Sequence, residues 1–127
     1  MKAIAFRSKK AKGKRLEIKL AKAIREKGLD PNARRMPGSG AFDGFKTDSF
    51  NKLPFSFEAK NQEKVKLWEW WKQAQDQATV AKPPVLVISG NYRPELAVMD
   101  LNTFLDLLKE IKDLEELLLI AQDGRPQ

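Results

Sequence analysis

Glu58 and Lys60 stand two residues apart in Phe55-Ser56-Phe57-Glu58-Ala59-Lys60, a run that alternates apolar and polar residues with period two, as a half-buried β-strand does. Alternation turns Phe55, Phe57 and Ala59 toward a core and sends Ser56, Glu58 and Lys60 to the opposite face. A carboxylate and an ammonium then leave the strand side by side. By itself such a pair reads as an ion pair on a solvated strand. Its surroundings add weight: Gly38-Ser39-Gly40, Asp43 and Asp48 upstream, Glu17 in a basic stretch before them, and Asn61-Gln62 directly after. The 127 residues include no cysteine and no histidine. Disulfides, thiolate or imidazole zinc sites, a cysteine nucleophile and a histidine base are all excluded. Any metal must bind oxygen, which points to magnesium or manganese held by Asp and Glu.

These acids sit in a basic chain, with a net charge of +7 and a pI near 9.7. The charge is lopsided. Residues 1–28 carry only Glu17 and Glu26 among many lysines and arginines, whereas from Glu95 onward acids outnumber Lys109, Lys112 and Arg125. One face rather than the whole surface therefore attracts a polyanion, and nucleic acid is the leading partner. The length suits one domain. There is no apolar run of transmembrane length and no signal-peptide core, so a cytoplasmic protein without a membrane partner is expected.

The elements that must position the acids can be read in order. Residues 1–12 have few large apolar groups and are expected as a flexible basic arm, followed by one domain over 13–122 and a tail over 123–127. Leu16, Leu20, Ala23 and Ile24 recur at helical spacing, with Gly28 as an αL stop. Glu17 borders that stripe and, alternatively, pairs with Lys14 or Lys22. Residues 32–36 form a short strand ending at Pro37. The Gly38–Ala41 loop is an ordinary turn or a place where a phosphate backbone comes close. Thr47–Phe50 and Pro54–Lys60 are expected to form a β-hairpin, with Pro54 as the first residue of its strand. Residues 65–80 read as a helix with Leu67, Trp71, Ala74 and Ala78 in the core and Trp70 the most exposed tryptophan. Val85–Ile88 is a strand covered on both faces, and Leu96–Met99 is another strand. Asp100 or Asn102 caps a last helix whose Phe104, Leu107, Leu108, Ile111, Leu114 and Leu118 form a long stripe. Leu117–Ile120 is apolar beyond what one stripe requires, which suggests a partner surface. The order implies an α/β fold, a mixed β-sheet flanked by helices.

Taken together, Glu17, Asp48, Glu58 and Lys60, with Gly38-Ser39-Gly40 ahead of the aspartate, resemble the PD-(D/E)xK nuclease superfamily. They are most similar to its archaeal-type Holliday junction resolvases, some of which phages carry. The resemblance covers roughly residues 12–108 and implies a restriction-endonuclease-like core. It implies Glu17, Asp48 and Glu58 with the Ala59 carbonyl as ligands of Mg2+, with Mn2+ as a substitute. Phosphodiester hydrolysis needs charge neutralised on the scissile phosphate and a water made nucleophilic, which a divalent ion supplies. Lys60 would position or deprotonate that water or stabilise the transition-state charge. Ser39 matches a loop serine near the phosphate, and Gln62 and Gln73 match positions lining the site. Lys9, Lys10, Lys12, Lys14, Arg15, Arg34 and Arg35 are the candidate DNA contacts. The family's aspartate commonly follows Pro or Gly, whereas Thr47 precedes Asp48 here, and Asp43 competes for its role. Asp48 is preferred because ten residues separate it from Glu58, as suits a tight hairpin.

The implied activity is Mg-dependent resolution of four-way DNA junctions, in recombination and repair, by a homodimer that cuts two opposed strands. Its rivals are another nuclease of the superfamily, nicking or recombination-associated, and a non-catalytic basic nucleic-acid binder. A binder would hold DNA and cut nothing with magnesium present.

Overall fold

The computed structural model describes residues 2–35, 49–50 and 52–124. Helix α1 (Lys2–Glu26) is followed by strands β1 (Arg34–Arg35), β2 (Ser49–Phe50) and β3 (Ser56–Asn61), helix α2 (Leu67–Gln77), strands β4 (Pro84–Ser89) and β5 (Leu96–Val98), and helix α3 (Leu101–Asp123). The first helix is longer than the sequence pattern suggests, because residues 2–12, read as an arm, continue it back to Lys2. Alanine, lysine and arginine are strong helix formers even where no apolar stripe advertises a helix. Its end is as expected. Gly28 takes φ +72°, the Gly28 N–H donates to the Arg25 carbonyl at 3.0 Å, and the Leu29 N–H donates to the Ile24 carbonyl at 3.1 Å, a Schellman close.

The main sheet has the order β3-β4-β5. β3 and β4 are parallel, with Glu58 opposite Leu86 and Lys60 opposite Ile88, while β4 and β5 are antiparallel. A parallel pair needs a long crossover, and α2 supplies it. α1 packs on one face through Leu16, Ala59, Val85 and Val87, with Leu20, Phe57 and Met99 around them. α2 packs on the other through Trp70, Ala74 and Leu86, with Leu67, Trp71, Ile88 and Val98. Each valine, leucine or larger apolar side chain among these, when fully buried, contributes about 1.5–3 kcal/mol. The chain is α/β, with a mixed sheet between helices consistent with a restriction-endonuclease-like core.

Four expectations are corrected. The hairpin between residues 47–50 and β3 is not formed: β2 pairs antiparallel with β1, Arg34 opposite Phe50 and Arg35 opposite Ser49. Residues 52–55, Pro54 included, are bends before the strand; β3 finds a better partner in β4, whose Val85, Leu86 and Val87 are buried. The tryptophans exchange places, with Trp70 only 3% exposed and Trp68 79%. The helix ends at Gln77 and Ala78 is its extended cap, so the stripe that reaches the sheet is Leu67, Trp70, Trp71 and Ala74, an i, i+3, i+4, i+7 set. In α1 the buried alanine is Ala21 rather than Ala23. Lastly, α3, expected to begin near Thr103, begins at Leu101, capped by Asp100, whose Oδ1 accepts from the Asn102 N–H at 2.8 Å, yet none of its residues is buried. Both sheet faces are already occupied by α1 and α2, so its apolar stripe has no face of the sheet to enter.

Candidate functional site

β3 carries the acid and the lysine into a setting unlike a solvated strand. Glu58 is buried, at 5% exposure, because its face of the sheet lies beneath α2, beside Leu86. Lys60 lies on the same face near the strand end, with its Nζ 3.5 Å from Glu58 Oε1. The alternation predicted the shared face correctly, but both faces of the strand are covered. A carboxylate held in such a place is costly unless cationic groups compensate it, and Lys60 is one such group.

Glu17 projects from α1 one residue past the buried Leu16. Arg35 Nε donates to Glu17 Oε2 in a very short ion pair. Neither expected intrahelical partner is the one observed, and Lys22 pairs with Glu26 instead. Arg35 sits opposite Ser49 in the β1–β2 ladder, so the Glu17–Arg35 pair joins α1 to the short sheet whose second strand begins directly after Asp48 in the sequence. Asp48, its rival Asp43, and Ser39 lie outside the described residues.

The end of β3 is a second built corner. Asn61 Nδ2 donates to the Lys12 carbonyl at 3.0 Å, and Lys12 Nζ lies 3.6 Å from Glu63 Oε1. The same oxygen accepts a very short hydrogen bond from the Asn91 N–H. A side chain at Gly90 would meet the Gln62 carbonyl and Glu63 Oε1 at 3.4 Å, so this turn is tightly seated. The Asn91 N–H and, less, the Lys12 charge hold the Glu63 carboxyl below its ordinary value. This corner ties α1, β3 and the β4–β5 turn together at the strand end that carries Lys60.

Among the other expected DNA contacts, Lys10, Lys14 and Arg15 are exposed along α1, Arg34 is exposed on β1, Gln62 is half-buried beyond β3 and Gln73 is exposed on α2. The Lys9 side chain is outside the described residues. Lys12 and Arg35, expected at phosphate, make the ion pairs with Glu63 and Glu17. Asp30 is a residue that the sequence pattern alone does not single out. It is 2% exposed and accepts the Asn32 N–H at 2.9 Å and the Lys52 N–H at 2.7 Å, fastening the chain before β3 to the end of α1. These two N–H groups, Asn32 first, hold its carboxyl below the ordinary value. A signal was present in Asp30-Pro31-Asn32, since aspartate caps such turns.

The described donor set is carboxylate oxygen, which suits a hard divalent cation. Among the described residues no three acids converge into a metal-holding group; the pairs that form are Glu58–Lys60 and Glu17–Arg35. No described helix is long and apolar enough to cross a membrane. A family model described as phage putative PDDEXK endonuclease matches residues 8–122. No curated protein and no solved structure matches the chain.

Proposed function

The chain belongs to this phage family of PDDEXK endonucleases, and from that premise we propose that it is a Mg-dependent, structure-specific DNA endonuclease that resolves four-way junctions by paired cuts. The observation that carries the site assignment is the buried Glu58 with Lys60 Nζ 3.5 Å from its Oε1. An acid is kept under α2 and next to a lysine on the strand where the PD-(D/E)xK pattern requires both.

In this reading Glu58, Asp48 and the Ala59 carbonyl would hold the Mg2+ ion, or Mn2+ in its place, with Glu17 as a ligand directly or through water. When bound, that ion would supply charge neutralisation at the phosphate and a more acidic water. Lys60, an ammonium beside Glu58, would orient the attacking water or offset the charge of the transition state. Arg35 holds Glu17 in one orientation, and a group so held loses less freedom when substrate arrives. Lys10, Lys14 and Arg15, exposed along one helix, supply the phosphate contacts that fix DNA without reading its sequence. Resolving a junction requires two opposed cuts, hence two copies of the site and a homodimer.

The test is a labelled four-way junction and a matched duplex, each with and without magnesium. The proposal expects paired cleavage of the junction with the metal and none without it, and Glu58→Gln should bind but not cut. Junction and duplex cut at equal rates, or nicked circles accumulating from a cruciform plasmid at saturating protein, would replace the resolvase reading with a nicking nuclease of the same family. Wild-type binding with no cutting in any metal would leave a DNA-binding protein.

A further inference from the structure

Ten large apolar side chains of α3, from Leu101 to Ile120, are each between 46% and 68% exposed. At roughly 100 Å2 apiece they present on the order of 1,000 Å2 of apolar surface on one helix, beyond the ≈300–600 Å2 of the largest patch on a typical monomer. Six of them, on the arc from Leu118 round to Leu105, contribute about 600 Å2 of this, most of the ≈800 Å2 that each partner gives to a standard interface. Among the described residues the helix faces its own domain through Thr103, Asp106, Leu107 and Glu110, which line a groove with Pro54, Phe55 and Pro83, and through Leu101, beside Trp68 and Trp71. At 100° per residue, Phe104, Leu105, Leu108 and Leu119 lie away from that side, and Ile111 and Leu118 lie at its border.

We propose that α3 is a dimerisation helix that packs antiparallel against α3 of a second copy of this chain, about a two-fold axis between Lys112 and Glu115. The inference does not depend on what the site cuts. Within residues 101–120 the charged groups on the free apolar side are Lys112 and Glu115, one turn apart. A two-fold axis midway between them sets each Lys112 against the partner's Glu115, making two ion pairs. A parallel pair would set lysine against lysine and glutamate against glutamate. The polarity of the helix argues the same way. One turn of its second half, Leu117-Leu118-Leu119-Ile120, is apolar on all sides, so more than one stripe of it gains from cover. A helix of 23 residues is about 34 Å long. Antiparallel packing carries that half alongside the partner's sheet domain, whereas parallel packing leaves both greasy ends together beyond either domain. A membrane surface is a poorer occupant, because the polar side carries Asp113 and Glu116 with Lys109 alone among the basic residues, itself paired with Asp113, where anionic lipid selects a basic face.

The test is the mass of the full chain by sedimentation equilibrium, with helicity checked by circular dichroism. Wild type is expected at twice 14.5 kDa and Ile111→Asp at the monomer mass. Lys112→Glu and Glu115→Lys change exposed groups and leave the fold intact. Each should weaken dimerisation about tenfold, and the double variant should recover the wild-type constant. A wild-type monomer at about 100 μM, a dimer that survives Ile111→Asp, or a double variant no tighter than the singles would each overturn the arrangement. A wild-type monomer that floats with anionic vesicles would give the face to a membrane instead. Because the readout is mass, failure here is separable from failure to cut DNA.

Discussion

Replacing Lys60 by methionine and Glu58 by glutamine should have opposite balances of stability and activity, and the asymmetry follows from burial. At 3.5 Å two unit charges attract by about 5 kcal/mol at an effective dielectric constant of 20. Taking each ion out of water costs several kcal/mol, so the intact pair contributes close to nothing net. Glu58→Gln removes the buried charge, keeps the shape and leaves an ammonium whose side chain is 23% exposed and can turn to water. Its stability should lie within about 1 kcal/mol of wild type. Lys60→Met instead leaves a carboxylate that is 7% exposed without its ammonium. Removing one partner of a fully buried pair costs about 3–5 kcal/mol; the partial exposure of Lys60 and the other interactions of Glu58 reduce this to about 2 kcal/mol. In a chain of this size that is a fall in Tm of roughly 8 °C. Urea unfolding followed by tryptophan fluorescence reads the difference, and cleavage of a labelled junction reads the other half. Glu58→Gln should be nearly as stable as wild type and at least about 100-fold slower, since changing even a group behind a metal ligand loses about 10–100-fold. Equal stability of the two variants would refute the buried-pair reasoning, and wild-type cutting by Glu58→Gln would refute the site.

Trp70→Ala should destabilise the protein by about 3–5 kcal/mol, because it empties the space between α2 and Leu86, whereas Trp68→Ala should stay within about 0.5 kcal/mol; thermal denaturation decides. Stability should fall on the acid side: the carboxyls of Asp30, Glu63 and Glu95 are all held low in the folded chain, so their contribution is complete above their unfolded values, from about pH 5 upward, and is lost as pH drops through the folded ones. Asp30→Asn should flatten that acid limb of Tm against pH, and an unchanged limb would mean that other carboxyls set it. Deleting residues 1–11 removes the start of α1 with Lys2, Arg7, Lys9 and Lys10; the slope of log binding constant against log salt should shrink by about 0.9 for each phosphate that the shortened chain no longer neutralises, and an unchanged slope would show that this end does not touch DNA.

The sequence alone determined what could be read from neighbours along the chain. Period-two alternation put Glu58 and Lys60 on one face of a strand, Gly28 marked the αL stop of α1, Asp100 was a candidate cap for the last helix, and the absence of Cys and His confined any metal to oxygen ligands. The tertiary structure decided what depends on residues far apart. Arg35 meets Glu17 across 18 positions and Asn91 meets Glu63 across 28, and no local pattern records such pairings. β3 chose β4 over the nearer β2, because β4, apolar on both faces, offers a buried neighbour that a local hairpin does not. Trp70 rather than Trp68 or Ala78 reached the core, because helical spacing allows several stripes and only the end of α2 at Gln77 selects one. The fate of α3 was the least legible. Its leucines read as one long stripe with a surplus at Leu117–Ile120, but a helix is buried only where a face remains to receive it, and α1 and α2 already cover both sides of the sheet.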